Sequence, residues 1–226
     1  MGLNKVIYLR LAFDLIAAGL LLFELSYWWL GNVAHEIAGT ALFLLLIAHN
    51  VFNRRWYATL PRTPTGPRGW FNVSVTFLLI FTMLVLLATS VLIANALSGI
   101  MASSGGFTAR QIHILAAYWA LVIVSIHLGL RWPLVMGVAR NLFGIARSSP
   151  LRLFVLRLIA LAVAAHGVWS SFELGLGGKL TMRMTLDWWN FEESVVGFFI
   201  HCTGVAGLCM FLTYHGTRLT GRRRVE

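Results

Sequence analysis

Apolar residues fill six stretches of about twenty residues, near 8–30, 33–53, 71–97, 111–131, 153–174 and 194–215, with polar and charged residues gathered between them. A run of that length crosses about 30 Å of hydrocarbon as a helix. The pattern predicts an all-α membrane protein, a six-helix transmembrane bundle. It forms a single domain over 1–226, with a weak repeat of three outward–inward hairpins in succession. No stretch reads as a removable signal peptide, because the first run is too long and no small-residue cleavage pattern comes before the second span.

Composition agrees with the pattern: 58% of the 226 residues are hydrophobic and 12% charged, so little chain remains for a soluble domain. A net charge of +10 would suggest nucleic acid in a soluble protein, but here the position of the charges decides. Fifteen of the 18 Lys and Arg fall on one side: Lys5, Arg10, Arg54, Arg55, Arg62, Arg68, Arg131, Arg140, Arg147, Arg152, Arg157, Arg218, Arg222, Arg223 and Arg224. Arg110, Lys179 and Arg183 fall on the other. The positive-inside rule therefore expects both termini in the cytoplasm, anionic membrane lipid at the arginine clusters, and no role with nucleic acid. Cys202 and Cys209 lie seven apart on one face of the last span, where burial as small hydrophobes is the default and a disulfide is not expected.

The largest outer segment, "GLGGKLTMRMTLDWWNFEES", brings Trp188 and Trp189 to the interface as Trp28 and Trp29 do after span one. Such aromatics either anchor the chain in the membrane or form a docking surface for an outer redox partner.

The second span opens as "HEIAGTALFLLLIAH", His35 to His49, and the fourth, "HILAAYWALVIVSIH", repeats the spacing from His113 to His127. Fourteen residues are close to four helical turns, so both histidines of a helix project from nearly one face, about 21 Å apart along the axis. Spans two and four run the same way. His35 therefore comes level with His113 near the outer surface, and His49 with His127 near the inner one. Two imidazoles on opposed helices are the ligand set of a six-coordinate haem iron, and two such levels across a bilayer form an electron wire. Gly39, Ala116 and Ala117 would let a flat porphyrin approach, and Leu42, Leu46, Ala120 and Val124 would pack between the levels. Arg110 at the outer end, with Arg54, Arg55 and Arg131 at the inner, either signal topology or meet haem propionates. The opening "HE" is not a zinc-protease motif, since position 39 is Gly39 rather than a second histidine. Glu36 then has another role, to hydrogen-bond an axial imidazole or to carry a proton. Without a CxxCH motif, attachment would be non-covalent, as haem b.

"HEIAGTALFLLLIAHNVFNRRW" and "SGIMASSGGFTARQIHILAAYWALVIVSIHLGLRW" resemble the flavinylation-associated cytochromes over residues 30 to 132. The resemblance is carried by the four histidines together with Glu36, Gly39, Asn53, Trp56, Ser98, Gly99 and Gly129. It implies a haem-binding bacterial plasma-membrane cytochrome. The chain then divides into a four-helix, cytochrome-b-like di-haem core over 8–131 and an additional two-helix hairpin over 153–215. The resemblance also implies that His35, His49, His113 and His127 hold the iron, and that electrons pass to an extracytosolic flavoprotein.

The last two spans depart from that pattern with His166, His201 and His215. His215 falls at the inner level. His166 and His201 fall nearer mid-membrane, where they form a buried polar contact, a quinone site or a third haem site. Asp14, Glu24 and Glu173 are acids in or near the membrane, suited either to releasing quinol protons or to bonding between helices. The expected function is electron transfer across the bilayer, from a quinol of the quinone pool or an inner donor to an outer acceptor. The competing class is a transporter or assembly subunit that uses the same polar groups without redox chemistry. The five prolines all lie in loops or at span ends, which disfavours the broken helices of a transporter.

Overall fold

The computed structural model describes residues 5–60, 66–94, 106–145, 147, 149–183 and 189–222. Arg62, Ser98, Gly99, Trp188, Arg223 and Arg224 lie outside the described residues. Those described form helices and no strand: α1 Lys5–Glu24, α2 Tyr27–Phe52, α3 Arg54–Thr59, α4 Pro67–Ile93, α5 Phe107–Leu142, α6 Pro150–Glu173, α7 Leu176–Leu180 and α8 Val195–Arg222. Five of these, α2, α4, α5, α6 and α8, are long and apolar enough to cross a membrane. The α1 helix has 20 residues, about 30 Å, but carries Lys5, Arg10, Asp14 and Glu24. Large apolar side chains such as Leu15, Ile37, Leu44, Leu161 and Phe172 point away from the bundle. Lipid tails cover such a surface without cost, whereas in water it would be an aggregation patch. The protein is a multi-pass helical membrane protein.

Helix ends follow local chemistry. Pro67 opens α4 and Pro150 opens α6, where the first turn needs no N–H from them, and the Ser149 hydroxyl accepts the Arg152 N–H at 3.4 Å. The first turn falls earlier than the hydrophobic pattern suggests. The α1 helix stops at Glu24, and Ser26 Oγ bonds back to the Phe23 carbonyl at 2.6 Å. Residues 27–30 belong to the next helix instead of the first span. That helix then bends at Gly31, whose φ of 74° lies in the left-handed region that glycine occupies without strain. The bend folds Tyr27 back, edge-on to the His35 ring at 5.2 Å. The α5 helix, in contrast, continues eleven residues past Arg131, the expected end of its span. Charge ends the membrane-buried part of a helix, not its hydrogen bonding.

The helices α1 with α2, α4 with α5, and α6 with α8 pack as the three expected hairpins, and α5 packs against α8 more extensively than α1 does against α2. The α5 helix joins them, because it contributes to both cores. One core sets Ala116 and Ala120 of α5 against Leu21, Leu42 and Leu86; the other sets Tyr118 and Leu121 against Leu174, Leu176, Phe198, Cys202 and Val205. The helix α7 lies against the second core, with Lys179 Nζ donating to the Tyr118 hydroxyl at 3.0 Å and Trp119 Nε1 to the Leu180 carbonyl at 3.2 Å.

Two interfaces differ sharply. Between α6 and α8 the backbones touch: a Cβ on Gly167 would stand 2.2 Å from the Gly204 carbonyl oxygen, and one on Gly207 would stand 2.4 Å from Val163 Cγ1. Between α2 and α5 the Cα traces come within 8 Å at hardly any point, although side chains of both enter the first core. Helices that touch leave no room for a flat cofactor, whereas helices held apart by side chains do.

Candidate functional site

Across the gap between α2 and α5, the His35 and His113 rings face each other with centroids 6.0 Å apart and planes at 73°. Each ring is held through the same nitrogen. His35 Nδ1 lies 3.0 Å from Glu24 Oε2 on α1, a polar contact whose angle is not that of a straight hydrogen bond. His113 Nδ1 lies 2.9 Å from Thr89 Oγ1 on α4. The Thr89 hydroxyl donates its one proton to backbone, with the Val85 carbonyl at 2.7 Å and the Leu86 carbonyl at 3.0 Å. It is therefore left to accept from His113, so Nδ1 of that ring carries the hydrogen and Nε2 keeps a free lone pair. An acid beside Nδ1 of His35 favours the same tautomer there.

One neighbour differs from the expected picture. The space above Gly39 is filled by Glu24, since a Cβ there would meet Glu24 Oε2 at 3.1 Å. The glycine admits a carboxylate to His35. Glu36, the acid adjacent in sequence, accepts from Asn32 Nδ2 at 2.9 Å and acts on His35 through its charge. Arg110 is exposed on the first turn of α5, one turn before His113.

About 21 Å along α2, the other level repeats half of this design. His49 Nδ1 meets Asp14 Oδ1 of α1 at 2.6 Å. Asn53 bonds the His49 carbonyl at 2.8 Å and makes a long 3.4 Å contact with Nε2. His127 is within electrostatic reach of His49, Asp14 and Arg131, and its buried Nδ1 has no hydrogen-bond partner among the described residues. Arg131 is half-buried one turn past His127, while Arg54 is exposed at the start of α3. His215 is exposed and touches Phe211 and Tyr214 of its own helix.

His166 and His201 do meet, with centroids 5.4 Å apart and planes at 17°. They lie about 10 Å from the ends of their helices nearest α7, not at mid-span. His201 is enclosed by Trp169 and Trp189, both edge-on, and its Nδ1 is 2.9 Å from Ser170 Oγ. A Cβ on Gly204 would stand 2.8 Å from His166 Cδ2. A third haem between α6 and α8 does not fit where the helices touch so closely.

Sequence reasoning missed Thr89 and the pairing of each α2 histidine with an acid of α1. Placing the reversal at Leu30–Gly31, where α2 bends, exposes the pairing, because antiparallel neighbours then have numbers that sum to about 60. Glu24 with His35 and Asp14 with His49 both satisfy it. Among the described residues no three His, Cys, Asp or Glu converge as a bare metal ion would require. A macrocycle supplying four donors of its own requires two. No protein-family model, curated protein or solved structure matches the chain.

Proposed function

We propose that the protein is a b-type membrane cytochrome that carries electrons across the bilayer between two haems. His35 and His113 would hold the outer one, His49 and His127 the inner. The observation that carries this reading is the outer pair: two imidazoles from helices kept apart, each restrained through Nδ1 so that Nε2 is available. Metal–imidazole bonds of about 2 Å on either side of one iron set ring centroids about 6 Å apart. A haem supplies a reversible one-electron couple at its iron. The protein's part is to orient the imidazoles, to keep the space between levels apolar with Leu42, Ala116 and Ala120, and to place Arg131 and Arg110 where propionates would emerge.

The rest of the reading follows the arginine distribution and the resemblance to flavinylation-associated cytochromes. The α1 helix is a sixth span, both termini are cytoplasmic, the membrane is the bacterial plasma membrane, and the outer acceptor is a flavoprotein. The described helices run unbroken through their middles, with the non-helical residue of α2 at Gly31 near its end, unlike the interrupted spans of transporters. A reduced-minus-oxidised spectrum of the purified protein tests the proposal. The expected result is a b-type α-band with two haems per chain; a colourless protein would sink it.

Quinol is the proposed electron source, and His166 beside lipid-exposed Trp169 the proposed contact. His201 is only 7% exposed and serves as backing. His166→Ala is expected to retain both haems while slowing their reduction by a quinol analogue about tenfold, as loss of one hydrogen bond to substrate would. Unchanged kinetics in stopped-flow reduction would make His166 a packing residue and leave a protein donor.

A further inference from the structure

The two acids of α1 are expensive where they stand, since intramembrane carboxylates need a partner or a function. Both find the same partner. Asp14 Oδ1 is 2.6 Å from His49 Nδ1, and Glu24 Oε2 is 3.0 Å from His35 Nδ1. Among the described residues neither histidine of α5 has an acid at hydrogen-bond distance: His113 has the Thr89 hydroxyl, and His127 Nδ1 has no hydrogen-bond partner. Among the described residues, direct carboxylate contacts run from α1 to α2 and none from α4 to α5.

We propose that α1 is a tuning helix whose Glu24 and Asp14 are positioning residues, one for each haem, setting the two reduction potentials independently through the α2 histidines. The inference rests on the haem reading above. Its physical basis is charge. An oxidised haem carries one more positive charge than a reduced one, so a carboxylate behind an axial imidazole favours the oxidised state, and it does so by increasing the electron donation of the ligand. The acids lie ten residues apart on α1, about 15 Å, so each acts mainly on its own level. Glu24 is the more enclosed, with 13% of its side chain exposed against 43% for Asp14, so solvent screens a charge at that position less.

The test is a redox titration of the full-length purified protein, with haem content measured in parallel. The single-haem variants His35→Ala and His49→Ala assign each potential to its level. Glu24→Gln keeps size and a hydrogen-bond acceptor but removes the charge. It is expected to retain both haems and shift the outer ferric–ferrous equilibrium about tenfold toward ferrous, about 59 mV for one electron, leaving the inner potential in place. Asp14→Asn is expected to move the inner potential in the same direction and to leave the outer one in place. Should Glu24→Gln lose the outer haem, Glu24→Asp, which keeps the charge, is expected to restore both the haem and a near-wild-type potential. Two bound haems with unmoved potentials in both variants would overturn the tuning role, as would either variant moving both potentials equally or failure of Glu24→Asp to restore. A wild-type protein without haem would instead overturn the cytochrome reading itself.

Discussion

Purified His35→Ala and His113→Ala are each expected to contain half the haem of the wild-type protein, and the same half. Both rings face one gap, 6.0 Å apart by centroid, and each is restrained by a different helix, so neither can take over the other's position. A non-covalent haem that loses one of two protein ligands keeps only dispersion contacts and one bond, and such outer-ligand losses lower metal affinity by at least 10–100-fold, roughly what already follows from losing a supporting partner. The remaining haem would sit about 21 Å further along α2, at His49. The layer between the levels, Leu21, Leu42, Leu86, Ala116 and Ala120, is untouched by either substitution. His215→Ala serves as control and is expected to keep both haems, because that ring is exposed against Phe211 and Tyr214 of its own helix. Haem content by pyridine haemochrome decides the matter. A full complement in either single variant would break the proposed pairing.

Gly167→Val is expected to produce the largest loss of stability available by one substitution in the α6–α8 hairpin. The first carbon added at position 167 would stand 2.2 Å from the Gly204 carbonyl oxygen and 2.7 Å from Leu208 Cβ, so the backbones must part. Parting them also undoes the contacts that Gly204 makes with His166 and Gly207 with Val163. Lipid tails are as apolar as leucine, so close packing between small residues is what holds such helices together, and its loss is not offset by burying the new side chain. Overpacking of this kind costs about 3 kcal/mol or more. Gly137→Ala in α5 is the matching control: a Cβ there meets nothing within 4 Å, and alanine favours the helix by about 1 kcal/mol. Thermal unfolding in detergent should show a marked fall in Tm for the first and none for the second. Equal Tm values would mean that the two helices separate without cost.

Most of the secondary structure was legible because length and hydropathy act locally. Runs of about twenty apolar residues must satisfy their own backbone in lipid, and only a helix does so within one segment. The fourteen-residue spacing likewise places His35 with His49, and His113 with His127, on single faces, since it depends only on the helical repeat. The ends were less legible. The Ser26 turn and the extension of α5 beyond Arg131 are hydrogen-bonding decisions, and hydropathy marks where the membrane ends instead.

What the sequence by itself determined is thus a bundle of apolar helices and two helices each bearing a matched pair of imidazoles. Which side chains meet was decided by the tertiary structure, because rotation of each helix about its axis is set by contacts that no single segment contains. Tight glycine contacts close α6 onto α8, whereas α2 and α5 are held apart, which is why His35 and His113 face each other across a gap while His166 lies against Gly204 and stacks on His201. The same rotation turned Glu24 and Asp14 toward Nδ1 of His35 and His49, and Thr89 toward His113. A uniformly apolar surround exerts no preference between faces of a helix, so the pairing of its few polar groups fixes the rotation, and those pairs become visible only when the helices are assembled.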